Sequence, residues 1–247
     1  MTVRSRKAQV LVGCAGWAIP AAHRGLFAPG DSVLARYASR FGLVEINSSF
    51  YRPHRRETYA RWAASTPAGF RFAVKLPRTI THDARLRGAG SLLDAFLHAC
   101  GGLGSKLDVL LVQLPPSLAC EPRQAAAFFA ALRRRWQHAV ACEPRHASWF
   151  TPAADALLRR HRIARVAADP APHPDAALPG GDPAHAYWRW HGAPRMYYDA
   201  YSPDWLRAQA NAIAERSRRG QRTWVVFDNT AAGHAIGDAD QFRALVA

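Results

Sequence analysis

Short apolar segments recur along the chain, and most of them are continuous runs without alternation of polar and apolar residues. Eight are rich in β-branched or aromatic residues and end in polar residues, glycine or proline: Val10–Cys14, Leu43–Asn47, Phe70–Lys75, Val109–Gln113, Ala139–Glu143, Ile163–Ala167, Ala186–Trp190 and Thr223–Phe227. Continuous runs of this length are typical of strands buried on both faces, as in a parallel sheet. Successive runs are on average about 31 residues apart, which is the length of a strand plus a crossover helix.

Helical patterns fill most of the intervals between these runs. We predict helices capped by Asp31 and running to Phe41, from Glu57 to Ser65, from Pro122 to Trp136, from Pro152 through Leu158, from Pro203 through Leu206 and from Asp238 to Val246. The interval 169–183 is the exception, because its prolines and glycines exclude a helix. We therefore expect an irregular loop over one end of the fold in place of the sixth helix.

This alternation within 247 residues, without a G-x-G-x-x-G opening, favours a closed barrel over a doubly wound sheet. The predicted fold class is α/β, a (β/α)8 TIM-type barrel in a single domain over residues 10–247. Residues 1–9 are expected to be a frayed, basic N-terminal tail.

Composition excludes several classes of protein. With 49% hydrophobic and 21% charged residues, the chain is neither disordered, collagenous nor a coiled coil. The apolar runs are far shorter than the roughly 20 residues that a membrane helix needs, and residues 2–10 are too polar for the apolar core of a signal peptide. The four cysteines show no C-x-x-C spacing and are interpreted as reduced thiols. We expect a cytoplasmic protein without a membrane partner, and the oligomeric state stays open.

The chain carries 33 basic and 18 acidic residues, a formal net charge of +15. This excess permits binding of a polyanion such as nucleic acid. The alternative is that the arginine runs at 133–135, 159–160 and 216–219 only solvate the outer faces of helices.

Candidate chemistry lies at the carboxyl ends of the eight runs, where the active sites of such barrels are found. The catalytic candidates are Glu143, His191 and Asp228. The substrate-binding candidates are Trp17, Glu45, Asn47, Tyr51, Lys75, His82, Gln113, Arg145, Trp149, Asp169, Arg189 and Asn229. Six of the eight runs supply an ionisable group, and each buried charge requires a partner. We expect Glu45, Lys75, Glu143, Asp169, His191 and Asp228 to converge at one end of the barrel.

Several of these residues have a structural alternative. Glu143 and Arg145 share strand parity, so they form either a structural ion pair or a site carboxylate tuned by Arg145. Lys75 is an anion binder, a charge-balancing strut or a proton donor, and we expect its charged form to prevail. Tyr51 is representative of the strand-end aromatics, which either stack on a ligand or plug the mouth of the barrel.

No cofactor is predicted, but a divalent metal site can be drawn as an alternative. It would use the carboxylates and the imidazole at the ends of runs five to eight, namely Glu143, Asp169, His191 and Asp228. Sequence motifs for a serine nucleophile elbow, a Walker loop or a Rossmann fingerprint are absent.

The strand-end motifs also resemble those of a known family. They are Gly13-Cys-Ala-Gly-Trp17, Glu45-Ile-Asn-Ser-Ser-Phe-Tyr51, Phe72-Ala-Val-Lys-Leu-Pro77 with Ile80-Thr-His82, Gln113-Leu-Pro-Pro-Ser117, Glu143-Pro-Arg-His-Ala-Ser-Trp149, Trp188-Arg-Trp-His-Gly192 and Phe227-Asp-Asn-Thr-Ala-Ala-Gly233. In this order they are similar to the motifs of the YecE-like family, domain of unknown function 72. The resemblance implies a TIM-barrel-like fold with polar motif residues at one end, and it implies no established reaction. Ala15 and Asp228 depart from the usual motif residues, which are serine and asparagine.

Three functional hypotheses follow. The first is an enzyme, a hydrolase, isomerase or lyase, that acts on a small anionic or phosphorylated substrate by acid–base chemistry. The second is a nucleic-acid-binding barrel or a metal-assisted phosphodiesterase. The third is a non-catalytic scaffold.

Overall fold

Ten strands form one nearly closed, barrel-like sheet in the computed structural model, which describes residues 10–218 and 220–247. The strands are β1 Val10–Ala15, β2 Leu43–Ile46, β3 Arg71–Lys75, β4 Leu107–Gln113, β5 Ala139–Glu143, β6 Ala164–Arg165, β7 Ala167–Asp169, β8 Gly180–Gly181, β9 His185–Trp190 and β10 Arg222–Phe227. Their order in the sheet is β7-β9-β10-β1-β2-β3-β4-β5-β6-β8. Neighbours pair in parallel except β6 with β8, so the carboxyl ends of the parallel strands share one edge.

The sixth predicted strand is divided in two. The residues of β6 pair with β5 and those of β7 pair with β9, so the chain changes its partner strand at Val166. The amide of Val166 still donates to the carbonyl of Cys142 at 2.8 Å. Because β6 and β7 are consecutive in the chain, this change of partner almost completes the circle of the sheet.

Seven α-helices surround the sheet in the described part of the chain. They are α1 Val33–Ala38, α2 Arg56–Ala64, α3 Gly90–Cys100, α4 Pro122–Arg135, α5 Pro152–Arg160, α6 Pro203–Arg218 and α7 His234–Val246. The predicted cap of the first helix was wrong by one residue, because Ser32 and not Asp31 accepts a hydrogen bond, from the amide of Ala35 at 3.0 Å. The last helix begins one turn earlier than predicted, after Gly233.

Alternation along each strand separates two apolar cores. Side chains such as Val44, Phe72 and Leu110 face the helices and form the outer core. Leu11, Leu43, Ala73, Val109, Leu111 and Trp224 belong to the second core, which fills the lumen of the sheet. Trp188 and Trp190 pack in the outer core beneath the helices. At the carboxyl end of this apolar lumen the chain places buried polar side chains, such as Glu45, Lys75 and Glu143.

The segment 170–183 contains one 3-10 turn, Pro174–Ala177, and the two residues of β8. The prediction that it holds no long helix is confirmed. It does not simply lie over the end of the sheet, however, because β8 runs beside β6 and the amide of Gly181 donates to Asp155 Oδ1 at 2.7 Å. The loop thus takes the outer position next to α5 that a sixth helix would occupy.

The four cysteines all lie within the described residues and are free thiols. Among the helices of residues 10–218 and 220–247, none is long and apolar enough to cross a bilayer.

Candidate functional site

Polar side chains occupy the carboxyl end of the lumen because the inward-facing positions of the strands change there from apolar to polar residues. Along β5, for example, Ala139 and Ala141 belong to the lumen core, and Glu143 is the next residue of the same parity. The same step leads from apolar to polar residues in β2, β3, β4 and β9, and it brings together Glu45, Lys75, Gln113, Glu143 and Arg189, which are all buried. The strands therefore place five of the predicted site residues in one layer.

Arg189 is the centre of this layer and binds three carboxylates. Its Nη2 lies 2.9 Å from Glu45 Oε1 and 2.8 Å from Asp228 Oδ2, and its Nη1 lies 3.1 Å from Glu143 Oε2. Tyr187, one inward position earlier on β9, donates its hydroxyl to Glu45 Oε2 at 2.8 Å. A buried guanidinium requires such partners, and the fork of donors on Arg189 distributes its charge over all three acids.

Glu143 is fixed from several sides. Gln113 Nε2 donates to Oε2 at 3.1 Å, and Arg145 Nη2 donates to Oε1 at 3.1 Å. Burial by itself would raise the pKa of Glu143, but the charges of Arg189 and His191 outweigh it and hold the pKa well below its ordinary value. Glu143 is therefore an ionised carboxylate at neutral pH, and its ion pair with Arg145 is present.

His191 connects two acids of the layer. Its Nδ1 lies 3.0 Å from Asp228 Oδ2, and its Nε2 lies 3.3 Å from Glu143 Oε1 without hydrogen-bond geometry to any described residue. Burial opposes the charged imidazolium, yet the bond to Asp228 and the nearness of Glu143 raise the pKa of His191 above 6.5. For Asp228, burial is outweighed by Arg189 and His191, which lower its pKa.

A cavity of about 440 Å³ opens above this layer. It is lined by Asn47, Phe50, Tyr51, Lys75, Arg78, His82, Gln113, Arg145, Arg189, Tyr197, Asp228 and Thr230. Eight of the predicted substrate-binding or catalytic residues are among them: Asn47, Tyr51, Lys75, His82, Gln113, Arg145, Arg189 and Asp228. Such a volume is within the usual range of small-molecule sites.

Lys75 is buried like Arg189, but unlike Arg189 it has no carboxylate partner among the described residues. Only 4% of it is exposed, and its Nζ lies 4.1 Å from the centroid of the Phe50 ring. Within the part of the chain that the structure describes, no carboxylate oxygen lies within 4.0 Å of Nζ. Burial and the charge of Arg189 lower the pKa of Lys75 to about 8, and the nearby carboxylates offset this only in part. Lys75 thus keeps its proton in most molecules at pH 7.

His82 and Asn47 also line the cavity, and each makes few hydrogen bonds to the described residues. His82 is half-buried, and its Nδ1 lies 2.8 Å from Thr81 Oγ1. Burial and the charges of Lys75 and Arg78 lower the pKa of His82, so its imidazole is neutral at pH 7. Asn47 has a buried Oδ1 with no hydrogen-bond partner among the described residues.

Five predicted binding residues lie outside the cavity lining. One of them, Glu45, belongs to the buried layer beneath the cavity. Trp17 packs edge-on against Trp62 at 5.0 Å, and Trp149 is buried in the outer core, where its Nε1 donates to the carbonyl of Leu118. Asp169 and Asn229 lie at the carboxyl edge but on the outward parity of their strands. Asp169 accepts a hydrogen bond from Tyr201, whereas Asn229 donates to Asp199 and Asp238: both residues hold the chain around α6 and α7.

The cavity also contains residues that the sequence analysis did not identify, namely Phe50, Arg78, Tyr197 and Thr230. Tyr197 is the most unusual, because it has a φ of 70°, a conformation that large side chains rarely adopt. Its hydroxyl lies 3.4 Å from Arg145 Nη2, and its ring lies 5.4 Å from that of His191. The position of Tyr197 after a Gly-Ala-Pro turn was the one signal in the sequence.

The alternative metal site is not assembled. Of its four residues, Asp169 faces the outer layer, and the guanidinium of Arg189 lies between the carboxylates of the others. Among residues 10–218 and 220–247, no group of three or more His, Cys, Asp or Glu side chains is placed to hold a metal ion. The described residues therefore do not support this alternative.

Comparison with known proteins identifies the family. The sequence model described as "Protein of unknown function DUF72" matches residues 11–247. The chain belongs to the DUF72 family. This membership confirms the resemblance deduced from the strand-end motifs.

Curated relatives match the chain over shorter regions. The chain is 34% identical to the UPF0759 protein YecE of Escherichia coli K12 over 100 residues, which is 40% of this chain and 36% of YecE. It is 27% identical to the UPF0759 protein YunF of Bacillus subtilis over 157 residues, which is 58% of this chain and 53% of YunF. The chain thus spans about a third to a half of the length of these relatives.

Solved DUF72 structures share the fold over nearly the whole chain. A DUF72 family protein from Enterococcus faecalis superposes with a TM-score of 0.81 at 22% identity, covering 96% of this chain and 95% of that protein. One from Thermotoga maritima gives a TM-score of 0.79 at 26% identity, covering 96% and 98%. The barrel-like architecture is therefore that of the family.

Proposed function

We propose that the protein is an enzyme that binds a small anionic or phosphorylated substrate in the 440 Å³ cavity and acts on it by acid–base chemistry. The observation that carries the proposal is the ammonium of Lys75, which is buried at the floor of the cavity without a carboxylate partner among the described residues. A buried charge requires a counter-charge, and an anionic ligand would supply it.

The placement of charges around the cavity supports an anion. The three acids of the layer, Glu45, Glu143 and Asp228, are all engaged by Arg189. Arg145 shares Glu143, and Lys75 stays unmatched. Arg78 stands at the rim, where its ion pair with Asp83 is exposed and therefore weak. Arg189, Arg145 and Lys75 equal the three acids in number, so the support for an anion is the position of the Lys75 ammonium at the cavity and not an excess of positive charge.

The proton-transfer groups of the proposal are two side chains that line the cavity, His82 and Lys75. Neutral His82 is suited to accept a proton, and Lys75, with a pKa of about 8, is suited to donate one. Glu143 and His191 beneath the cavity, and Asp228 in its lining, would act by fixing the charge and orientation of Arg145 and Arg189. This pairing suits an isomerase or lyase, or a hydrolase that activates water.

Thermal unfolding in inorganic phosphate tests the proposal. Phosphate is expected to raise the Tm of the wild-type protein and to leave the Tm of Lys75→Met unchanged. Arg160→Met is the matched control, because it removes one positive charge from the exposed end of α5 and should keep the full shift. An equal phosphate shift in Lys75→Met would overturn the proposal. If Lys75→Met unfolds at ordinary temperature, Lys75 is a structural strut, and the proposal loses its main residue.

The finer description of the fold and the location are also proposals. We regard the sheet as a (β/α)8 barrel of the TIM type, with a sixth strand divided into β6 and β7 and a loop in place of the sixth helix. The parallel pairing of sequential strands supports this description. Four free thiols support a cytoplasmic location, because thiols stay reduced there.

A further inference from the structure

We propose that the anion bound in the cavity is the phosphate of a nucleotide, whose base stacks on Tyr51. This inference rests on the proposed function, because it takes the site near Lys75 as the phosphate site. It names the substrate class from the arrangement of cations and aromatic rings along the segment 50–61.

Tyr51 presents an open aromatic face at the mouth of the cavity. Its side chain lines the cavity, and 70% of the residue is exposed. Its ring stands edge-on against Phe50, with centroids 4.9 Å apart, and the ammonium of Lys75 lies 4.1 Å from the centroid of the same Phe50 ring. Lys75 and Tyr51 are thus separated by a single side chain, so one small ligand can reach both.

The segment that carries Tyr51 is held in place. His54 Nε2 lies 2.8 Å from Ser48 Oγ, and the His54 ring packs edge-on against Tyr59 and Trp62. Tyr51 lies between these two anchored residues, Ser48 and His54. A ring on such a support loses little conformational freedom when a ligand stacks on it.

Cations continue beyond the ring. An open groove of about 620 Å³ begins at the next residue, and it is lined by Arg52, Pro53, His54, Arg55, Glu57, Thr58 and Arg61. Its three arginines are exposed, and Glu57 is the one acid in that lining. The order along the surface is therefore cation, aromatic ring, cation.

This order distinguishes a nucleotide from other anions. A carboxylate or a sugar phosphate would use Lys75 and leave Tyr51 in water, whereas a nucleotide places a planar ring next to its phosphate. Stacking on an aromatic side chain accepts any base. The arginines of the groove would meet further phosphates, if the nucleotide is the end of a strand.

Calorimetric titration at low salt tests this inference with three probes. They are adenosine monophosphate, the ribose phosphate that lacks the base, and a triadenylate with a terminal phosphate. Adenosine monophosphate is expected to bind the wild-type protein about tenfold tighter than ribose phosphate. Tyr51→Leu should remove that advantage and leave the affinity for ribose phosphate unchanged. Tyr198→Leu is the matched control, because Tyr198 is an exposed tyrosine outside the cavity lining.

Equal affinities of the wild-type protein for adenosine monophosphate and ribose phosphate would overturn the inference, and so would an equal loss of both in Tyr51→Leu. Failure of the proposed function looks different, because neither compound would then bind in a manner that depends on Lys75. The triadenylate identifies the source of the nucleotide. Tighter binding than the monophosphate, lost in Arg55→Met but not in Arg160→Met, supports a nucleotide at the end of a strand, and equal binding supports a free nucleotide.

Discussion

Arg189 and Glu45 form a bidentate ion pair in which neither side chain is more than 1% exposed. Nη2 of Arg189 lies 2.9 Å from Oε1 of Glu45, and Nε lies 3.1 Å from Oε2. The pair lies at the boundary between the apolar lumen core and the polar layer, and the lumen core excludes water from one side of it. Removing one member would leave the other charged and poorly solvated.

We expect Glu45→Gln to lower the free energy of unfolding by about 3 kcal/mol. Arg189→Met should cost more, because three carboxylates then lose their shared cation. Asp240→Asn is the control: it breaks the partly exposed pair with Arg40 and should cost less than about 1 kcal/mol. Urea unfolding measures the three values. A cost for Glu45→Gln no larger than that for Asp240→Asn would show that the buried pair does not stabilise the fold.

His191 predicts a pH dependence of stability. Its pKa in the folded protein is raised above the ordinary 6.5, so between these two values the folded state binds more protons than the unfolded state. The resulting stabilisation is complete below pH 6.5 and is lost as pH rises through the folded pKa.

His191→Gln should therefore lose more stability relative to wild type at pH 6 than at pH 9. Comparison with the variant is necessary because His54, His82 and His161 have lowered pKa values and act in the opposite direction near pH 6. Urea unfolding across this range measures the difference. A difference that is constant with pH would mean that His191 is neutral in the folded protein.

The strands could be predicted from the sequence where a strand pairs with the same two neighbouring strands along its whole length. The run Ile163–Ala167 predicts one strand, because nothing in its apolar residues indicates that the pairing changes at Val166. Helix α3 was not identified for a similar reason. It begins after Ala89, which has no side chain that could cap it, so the sequence contains no start signal there.

Strand alternation also determined how much of the site could be predicted. Lys75 and Glu143 face inward because they continue the parity of residues in the lumen core. Asp169 follows Ala167, an outer-core residue, by two positions, so the same parity places it outside. Arg78 lies at the start of the short helical turn Thr79–Asp83, and Tyr197 lies on a loop. No strand alternation applies to either residue, and only the folded chain brings them to the cavity.

Gly192 is required by the loop that carries Tyr197. Its φ is 90°, and a Cβ at this position would lie 2.5 Å from the carbonyl oxygen of Asp199. Gly192→Ala should therefore lower the free energy of unfolding by about 2 kcal/mol or more and displace Tyr197 from Arg145.

Gly88→Ala is the control for this substitution. Gly88 has a φ of 56°, and a Cβ there would meet no described atom within 4 Å, so the substitution adds backbone strain without a clash. Its cost should be about 1 kcal/mol. Urea unfolding measures the free energy of unfolding of both variants, and the Tm shift in phosphate shows whether the cavity still binds an anion. Equal losses of stability in the two variants would mean that the backbone between residues 192 and 199 shifts to accept the added methyl group at no cost.

The pKa of Lys75 predicts the pH range over which the cavity holds an anion. Its value of about 8 means that the ammonium, the form that attracts an anion, is lost as pH rises above 8. Sulfate is the suitable probe because its own charge does not change in this range. We expect the affinity of the wild-type protein for sulfate to be constant from pH 6.5 to 7.5 and to fall about tenfold per pH unit above 8.

In Lys75→Arg the guanidinium stays charged, so sulfate binding should persist to pH 10. Calorimetric titration at constant ionic strength measures both profiles. Parallel decreases in wild type and Lys75→Arg would show that another group controls the binding of anions, and Lys75 would then be only a neighbour of the site.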